Sequence, residues 1–263
     1  MFSLFPRCQW LIAVIMVIGI APGCSAHRST MPQISLLRRD AIQRPDTVGE
    51  WNDWADAQLR DGDIVFMRGD CYVLMGTVNF SAVSTDLTAS RFSHVGLVAI
   101  EHGEAHVYDL RNQGCLRTRF GELLAHRQLH QVAIKRHRDA SPKELARTAT
   151  FCQSVFVDQE KYDDQLKLNN GRLYCTELVE EAYRHAGYSL SEPVPIHDLP
   201  NYARHARTIG FVRAVTGIEP DQPVLLPGNE QFGVWANPDL ELILDLPDTK
   251  VRPSADHTAR GGN

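Results

Sequence analysis

The sequence predicts an α+β domain in which a small antiparallel sheet packs against one amphipathic helix. Three observations carry this. Residues 95–100 are the most hydrophobic strand of the chain, apolar on both faces, as a central strand must be. His102 and Gly103 then form a turn into residues 104–110, the antiparallel partner. Cys175, Leu178, Val179, Ala182, Tyr183 and Ala186 keep helical spacing, and Gly187 ends that helix.

The other elements follow in order. Arg7, the apolar run 11–20 and the small residues Ala21, Pro22 and Gly23 read as an export signal over residues 1–23. The Gly23–Cys24 junction resembles a bacterial lipoprotein signal, with Cys24 lipidated as the mature N-terminus. Ser25 then resembles an outer-membrane sorting residue. Plain cleavage after Ala26 and an uncleaved anchor are the alternatives. Residues 24–49 carry no sustained period and read as a tether. The folded domain is expected over 50–248, with a loose polar tail over 249–263.

Trp51, Trp54, Ala55 and Leu59 share a helical face that ends before Gly62-Asp63, and residues 64–67 form a short buried strand. Residues 68–92 carry no clear pattern. Phe120, Leu123 and Leu124 suggest a short helix, and residues 132–135 a strand. Ser141-Pro142-Lys143-Glu144 opens a helix running to about Val155, with a capping box and Pro at the first helical position. A polar loop covers 157–172, and residues 209–215 read as a last strand.

At 263 residues, the chain is long enough for one good core. Its formal net charge of -5 implies no basic face, so nucleic acid is not an expected partner. Four of the 6 cysteines lie beyond the export segment: Cys71, Cys115, Cys152 and Cys175. Their irregular spacing is no disulfide framework. Cys152 sits on a helical apolar stripe, as a core residue does.

Cys175 differs in standing at a helix start, where the dipole favours a thiolate. Read plainly, it is a small apolar residue at that position. A base must reach it if it reacts. Of the 11 histidines, His94 opens the most hydrophobic strand, where a polar ring needs a partner or a purpose. With a two-residue turn at 102–103, His94 faces Arg111, and Asp109 is its diagonal neighbour on the same face. A carboxylate there would orient the imidazole and stabilise its cation. A three-residue turn would bring His106 to that face instead.

Ordered along the chain are Gly62-Asp63-Ile64-Val65-Phe66, Phe92-Ser93-His94-Val95-Gly96, Val107-Tyr108-Asp109, Tyr162-Asp163 and Leu173-Tyr174-Cys175-Thr176-Glu177-Leu178. Over residues 62–187 this series resembles the YiiX/YaeF-type permuted papain-like hydrolases of the NlpC-type cysteine peptidase superfamily. In that branch the histidine strand precedes the nucleophile helix, as here. The resemblance implies a permuted papain-like fold, with Cys175 as nucleophile and His94 as base. Asp109 matches the third polar residue, where the branch more often carries Glu. Tyr162 and Asp163 match a motif near the pocket, and Ser93 and Tyr174 flank the reactive pair as further substrate-binding candidates.

His126 and His130 are four apart but lack a third ligand, so no zinc site is expected. Glu177, Glu180 and Glu181 read as a solvated helix face. The expected reaction is attack by the Cys175 thiolate on an amide or ester carbonyl, with no metal or organic cofactor. Expected substrates are peptidoglycan peptides, with acyl-lipids as the enzymatic alternative. A silent ligand-binding lipoprotein, anchored in the membrane through Cys24, is the non-enzymatic one.

Overall fold

The hairpin on which the sequence reading turned sits at the centre of the sheet. In the computed structural model, which describes residues 45–73, 78–126 and 128–251, Glu101 pairs with Glu104 across His102 and Gly103. Both turn residues have positive φ, 52° and 86°, as a two-residue hairpin with right-handed twist requires. The export signal, Cys24, most of the tether and the tail beyond Val251 lie outside the described residues.

The elements run α1 (Val48–Gln58), β1 (Ile64–Gly69), β2 (Tyr72–Val73), β3 (Val78–Asn79), α2 (Phe80–Leu87), β4 (His94–Glu101), β5 (Glu104–Arg111), β6 (Gly114–Arg119), α3 (Phe120–Leu124), β7 (Leu129–His137), α4 (Pro142–Val157), α5 (Cys175–Ala186), β8 (Val194–Pro195), α6 (Tyr202–Thr216), β9 (Pro223–Val224) and β10 (Leu240–Leu246). Six strands form one antiparallel sheet in the order β10-β7-β1-β4-β5-β6. Helices cover both faces, so the central strands are apolar on both sides. On one face Phe66, Val95, Leu97 and Tyr108 pack with Leu145 and Cys152 of α4 and with Leu178 and Ala182 of α5. On the other, Val65, Met67, Val98 and Val107 pack with Trp51 and Ala55 of α1 and with Phe120 and Leu124 of α3.

Local chemistry explains the helix ends. Ser141 accepts from the Glu144 amide, and the Glu144 carboxylate accepts from the Ser141 amide at 2.8 Å. This is the reciprocal capping box that the sequence predicted. Gly187 ends α5 in the left-handed region, φ 97°, where a β-carbon would be strained. At Gly62-Asp63, the Gly62 carbonyl accepts from the Tyr183 hydroxyl at 2.7 Å. Fully buried Asp63 takes a bidentate ion pair from Arg136, at 2.7 and 2.6 Å.

Three readings of the sequence are corrected. Residues 209–215 lie inside α6, not in a strand. The Ala- and Arg-rich turns over residues 203–207 favour helix, and an established helix extends cheaply through β-branched residues. Phe211 and Val215 stay exposed, so no sheet recruits them. The last strand is β10, on the sheet edge beside β7. Its leucines at 240, 242, 244 and 246 alternate, but a register shift between Leu242 and Leu244 breaks the pattern.

The third correction concerns the acidic residues of α5. Glu180 is fully buried and Glu177 is 3% exposed. After Gly187 the chain folds back over the helix. Glu180 there accepts from the amides of Leu190 (3.0 Å) and Ser191 (3.1 Å) and from the Ser189 hydroxyl (2.9 Å). Glu180→Ala would strand two amides and is expected to cost about 3 kcal/mol, read as a lower urea midpoint. A change below about 0.5 kcal/mol would mean that these bonds contribute nothing net.

Candidate active site

Helix α5 brings Cys175 to its first turn. The N-cap is Tyr174, whose side chain makes no capping bond to the helix's first N–H groups. Cys175 is 7% exposed. The opposing strand supplies His94, its side chain 22% exposed. β4 pairs with β1 up to Met67↔His94, but with β5 only from Leu97↔Tyr108 onward. The two strands approach closely beside Gly96. A β-carbon there would lie 2.7 Å from the Tyr108 carbonyl oxygen and 3.0 Å from the Asp109 β-carbon. Glycine at 96 therefore lets the Asp109 backbone come close enough for its carboxylate to reach His94.

That contact is made. His94 Nε2 and Asp109 Oδ2 are 2.8 Å apart, and Asp109 is fully buried. Arg111 Nε donates to the same carboxylate oxygen. Burial pushes the Asp109 carboxyl up, but the bond and charge of His94 and the charge of Arg111 outweigh it. Its pKa ends below the usual range, so Asp109 is ionised. Because Nε2 is engaged, the other ring nitrogen is left for the thiol.

The thiol and the imidazole each favour the other's charged form. Burial alone would raise the Cys175 thiol. The charge and hydrogen bond of His94, with help from Thr176 and the Val95 amide, bring it below its ordinary value. Burial likewise opposes the His94 cation. The thiolate's charge, the Asp109 bond and the thiol bond overcome it, raising His94 to about 9. Both shifts run toward thiolate and imidazolium together. The other buried thiols lack such a partner. Burial, then the charge of Asp109, pushes Cys115 up to about 12, and burial raises Cys152 well above its ordinary value. Cys71, Cys115, Cys152 and Cys175 are all unbridged.

The remaining sequence candidates fall into two groups. Tyr162 is half-buried and near enough to Cys175 to feel its charge. Ser93 stands next to His94, its hydroxyl 2.5 Å from that of Ser81 on α2. The polar atoms of Asp163 and Tyr174, by contrast, are committed to the protein itself. Asp163 is 1% exposed and accepts from the amides of Gln165 and Lys167 and from Asn170 Nδ2. This ties the loop that carries Tyr162. The Tyr174 hydroxyl accepts from the Leu225 amide at 2.6 Å in a buried position. Both hold the frame rather than line the site.

Two features of the site were not legible as such. Glu177, in the first turn of α5, is pushed up to about 7 by burial, against the Asn169 amide it accepts from. The hairpin register sets Arg111 opposite His94, and the structure adds its hold on Asp109. As for a metal, His130 pairs with Asp70 at 3.0 Å. Among the described residues, no three His, Cys, Asp or Glu side chains gather as a metal centre requires.

No curated protein matches the chain. YiiX of Escherichia coli O157:H7, described as a metalloprotein, shares the fold: TM-score 0.59, over 72% of this chain and 98% of that one, at 19% identity. The model of the permuted papain-like amidases, the YaeF/YiiX or C92 family, matches residues 58–199. More than half of the sequence thus carries the family pattern on the family fold, and the chain belongs to the permuted papain-like amidases, a family of cysteine hydrolases.

Proposed function

We propose that this protein hydrolyses amide bonds of cell-wall peptides through an acyl-enzyme on Cys175, at the periplasmic face of the envelope. The single observation that carries the site is His94, held at Nε2 by buried Asp109 and coupled to the thiol at the start of α5. The thiolate attacks the carbonyl carbon, and the oxyanion that forms meets the uncapped N–H groups of the first turn, that of Cys175 included. His94 passes its proton to the leaving nitrogen, the C–N bond breaks, and a thioester remains. His94 then takes a proton from water, which attacks the thioester and frees the acid and the thiolate. Asp109 fixes the ring and stabilises its cation throughout. Tyr162 and Ser93 line the approach to the pair.

The envelope location rests on the apolar leader ending at Gly23-Cys24. In this reading a lipid on Cys24 anchors the protein, with the tether spacing the domain from the membrane. A mature membrane-fraction chain starting at Cys24 with acyl mass is expected. A chain starting at His27 without it removes the anchor but not export.

The reaction is tested by offering the purified protein peptidoglycan peptides, diacyl phospholipids and amino-acid amides. New amine from the peptides, abolished by Cys175→Ala, is expected. Release of fatty acid alone would replace the amide reading with an ester one. Binding without turnover would make the protein a silent binder.

A further inference from the structure

Asp109 is shared. One of its oxygens takes both His94 Nε2 and Arg111 Nε, so the guanidinium lies within about 6 Å of the imidazole, two hydrogen bonds away. Among the described residues only the Nε of Arg111 is engaged; both Nη groups are without a partner. The side chain is 30% exposed although the carboxylate it holds is fully buried. One edge of a planar cation is therefore fixed on the catalytic carboxylate, while the other is left to solvent.

The backbone around Arg111 adjoins the loop that carries Tyr162. Arg111 ends β5 and starts the turn into β6, where it pairs with Gly114. Gly114 lies against the loop that carries Tyr162, its β-carbon position 3.6 Å from the Glu160 carbonyl. The hairpin turn and the Tyr162 loop thus stand together beside the thiol and the imidazole. A guanidinium whose Nη pair is free matches a carboxylate in bidentate geometry, which a lysine ammonium cannot reproduce.

We propose that Arg111 is a specificity residue whose free Nη groups bind a carboxylate of the substrate within about one residue of the scissile amide. This deepens the reading of Cys175 as nucleophile and rests on it. The substrate class it names is the acidic peptide: an amide whose neighbouring residue carries a free carboxylate, rather than a neutral amide or a zwitterionic lipid ester. Anchored on Asp109, the guanidinium keeps a fixed position relative to His94, so a bound carboxylate sets where the carbonyl meets the thiolate.

The test uses two alkylating probes of the full-length protein that differ in one charge. Iodoacetate and iodoacetamide both form an S–C bond on Cys175 and release iodide, but only iodoacetate carries a carboxylate. The ratio of their rates, relative to the same ratio for N-acetylcysteine, reports the cations beside the thiol, His94 and Arg111 together, and its change on substituting Arg111 isolates the guanidinium's share. In the wild type this normalised ratio is expected to favour iodoacetate by about tenfold or more. Arg111→Met should lower it several-fold, and Arg111→Lys should restore part of it. Because the ratio cancels any change in thiolate content, a loss of reactivity from disturbing Asp109 does not imitate the effect.

A stem peptide with a γ-linked D-glutamate, offered with its α-carboxylate free or amidated, gives the second readout. Arg111→Met should raise KM for the acidic form only. A wild type without preference for iodoacetate overturns the proposal even if the variants fail to fold. So does a ratio unchanged in Arg111→Met, or a fall in kcat equal for both peptides, which would make Arg111 a support of Asp109 alone. The iodoacetamide rate by itself reports the thiolate, so failure of the nucleophile assignment is read separately.

Discussion

Cys175→Ser is expected to lower turnover of an amide substrate by about 10⁴-fold or more while ligand binding persists. In the proposed mechanism the site makes a nucleophile by stabilising a charge. It brings a thiol below its ordinary value against the full cost of burial, using the His94 cation, the Thr176 hydroxyl and the Val95 amide. A serine hydroxyl lies far above any value these contacts can reach, and its shorter bond withdraws the oxygen from the carbonyl. The fold should be indifferent, since one buried atom is exchanged among neighbours that remain. Turnover and ligand affinity measured on the same preparation check this. Activity within tenfold of wild type would mean that another group attacks.

His94→Ala should produce the second large loss, about 10³-fold or more in kcat, and for a different reason. Two things leave with the ring: the positive charge that holds the thiolate, and the proton that the leaving nitrogen needs. Without the cation, burial is the largest influence left on Cys175, and burial raises it. The thiol should then titrate at or above its ordinary value. Asp109→Asn should cost less than either change. It weakens the orientation of the ring and the stabilisation of its cation, but leaves both reacting groups in place. A His94→Ala enzyme with unchanged turnover would remove His94 from the mechanism.

Much of the site could be read from the sequence because it is set by local rules. The two-residue turn at His102-Gly103 fixes the register of β4 on β5, and that register alone brings Asp109 diagonally to His94. The Cys175 helix was legible from its apolar spacing and from Gly187. What was not legible depends on the chain's return. Glu177 and Glu180 have the residue types of a solvated face. Only the segment that crosses α5 after Gly187 buries them, and nothing in their own spacing announces it. The helix over residues 209–215 was hidden because Ile, Phe and Val there suit a strand when considered alone. Asp163 and Tyr174 carry the right chemistry beside the right neighbours, yet a loop and the Leu225 amide occupy their polar atoms. Sequence order showed that they stand near the site but not which way their polar atoms are spent.

The central claim is that Cys175 and His94 form a thiolate–imidazolium pair, and the pH profile of Cys175 alkylation by iodoacetamide tests it most directly. In the wild type the rate should rise below the ordinary thiol range of about 8.5. It should then hold a plateau and inflect again near 9, where His94 loses its proton. In His94→Ala the plateau should vanish, leaving one inflection at or above the ordinary thiol value. An ordinary thiol titration of Cys175 in both proteins would contradict the account, because no ion pair would then exist to be broken.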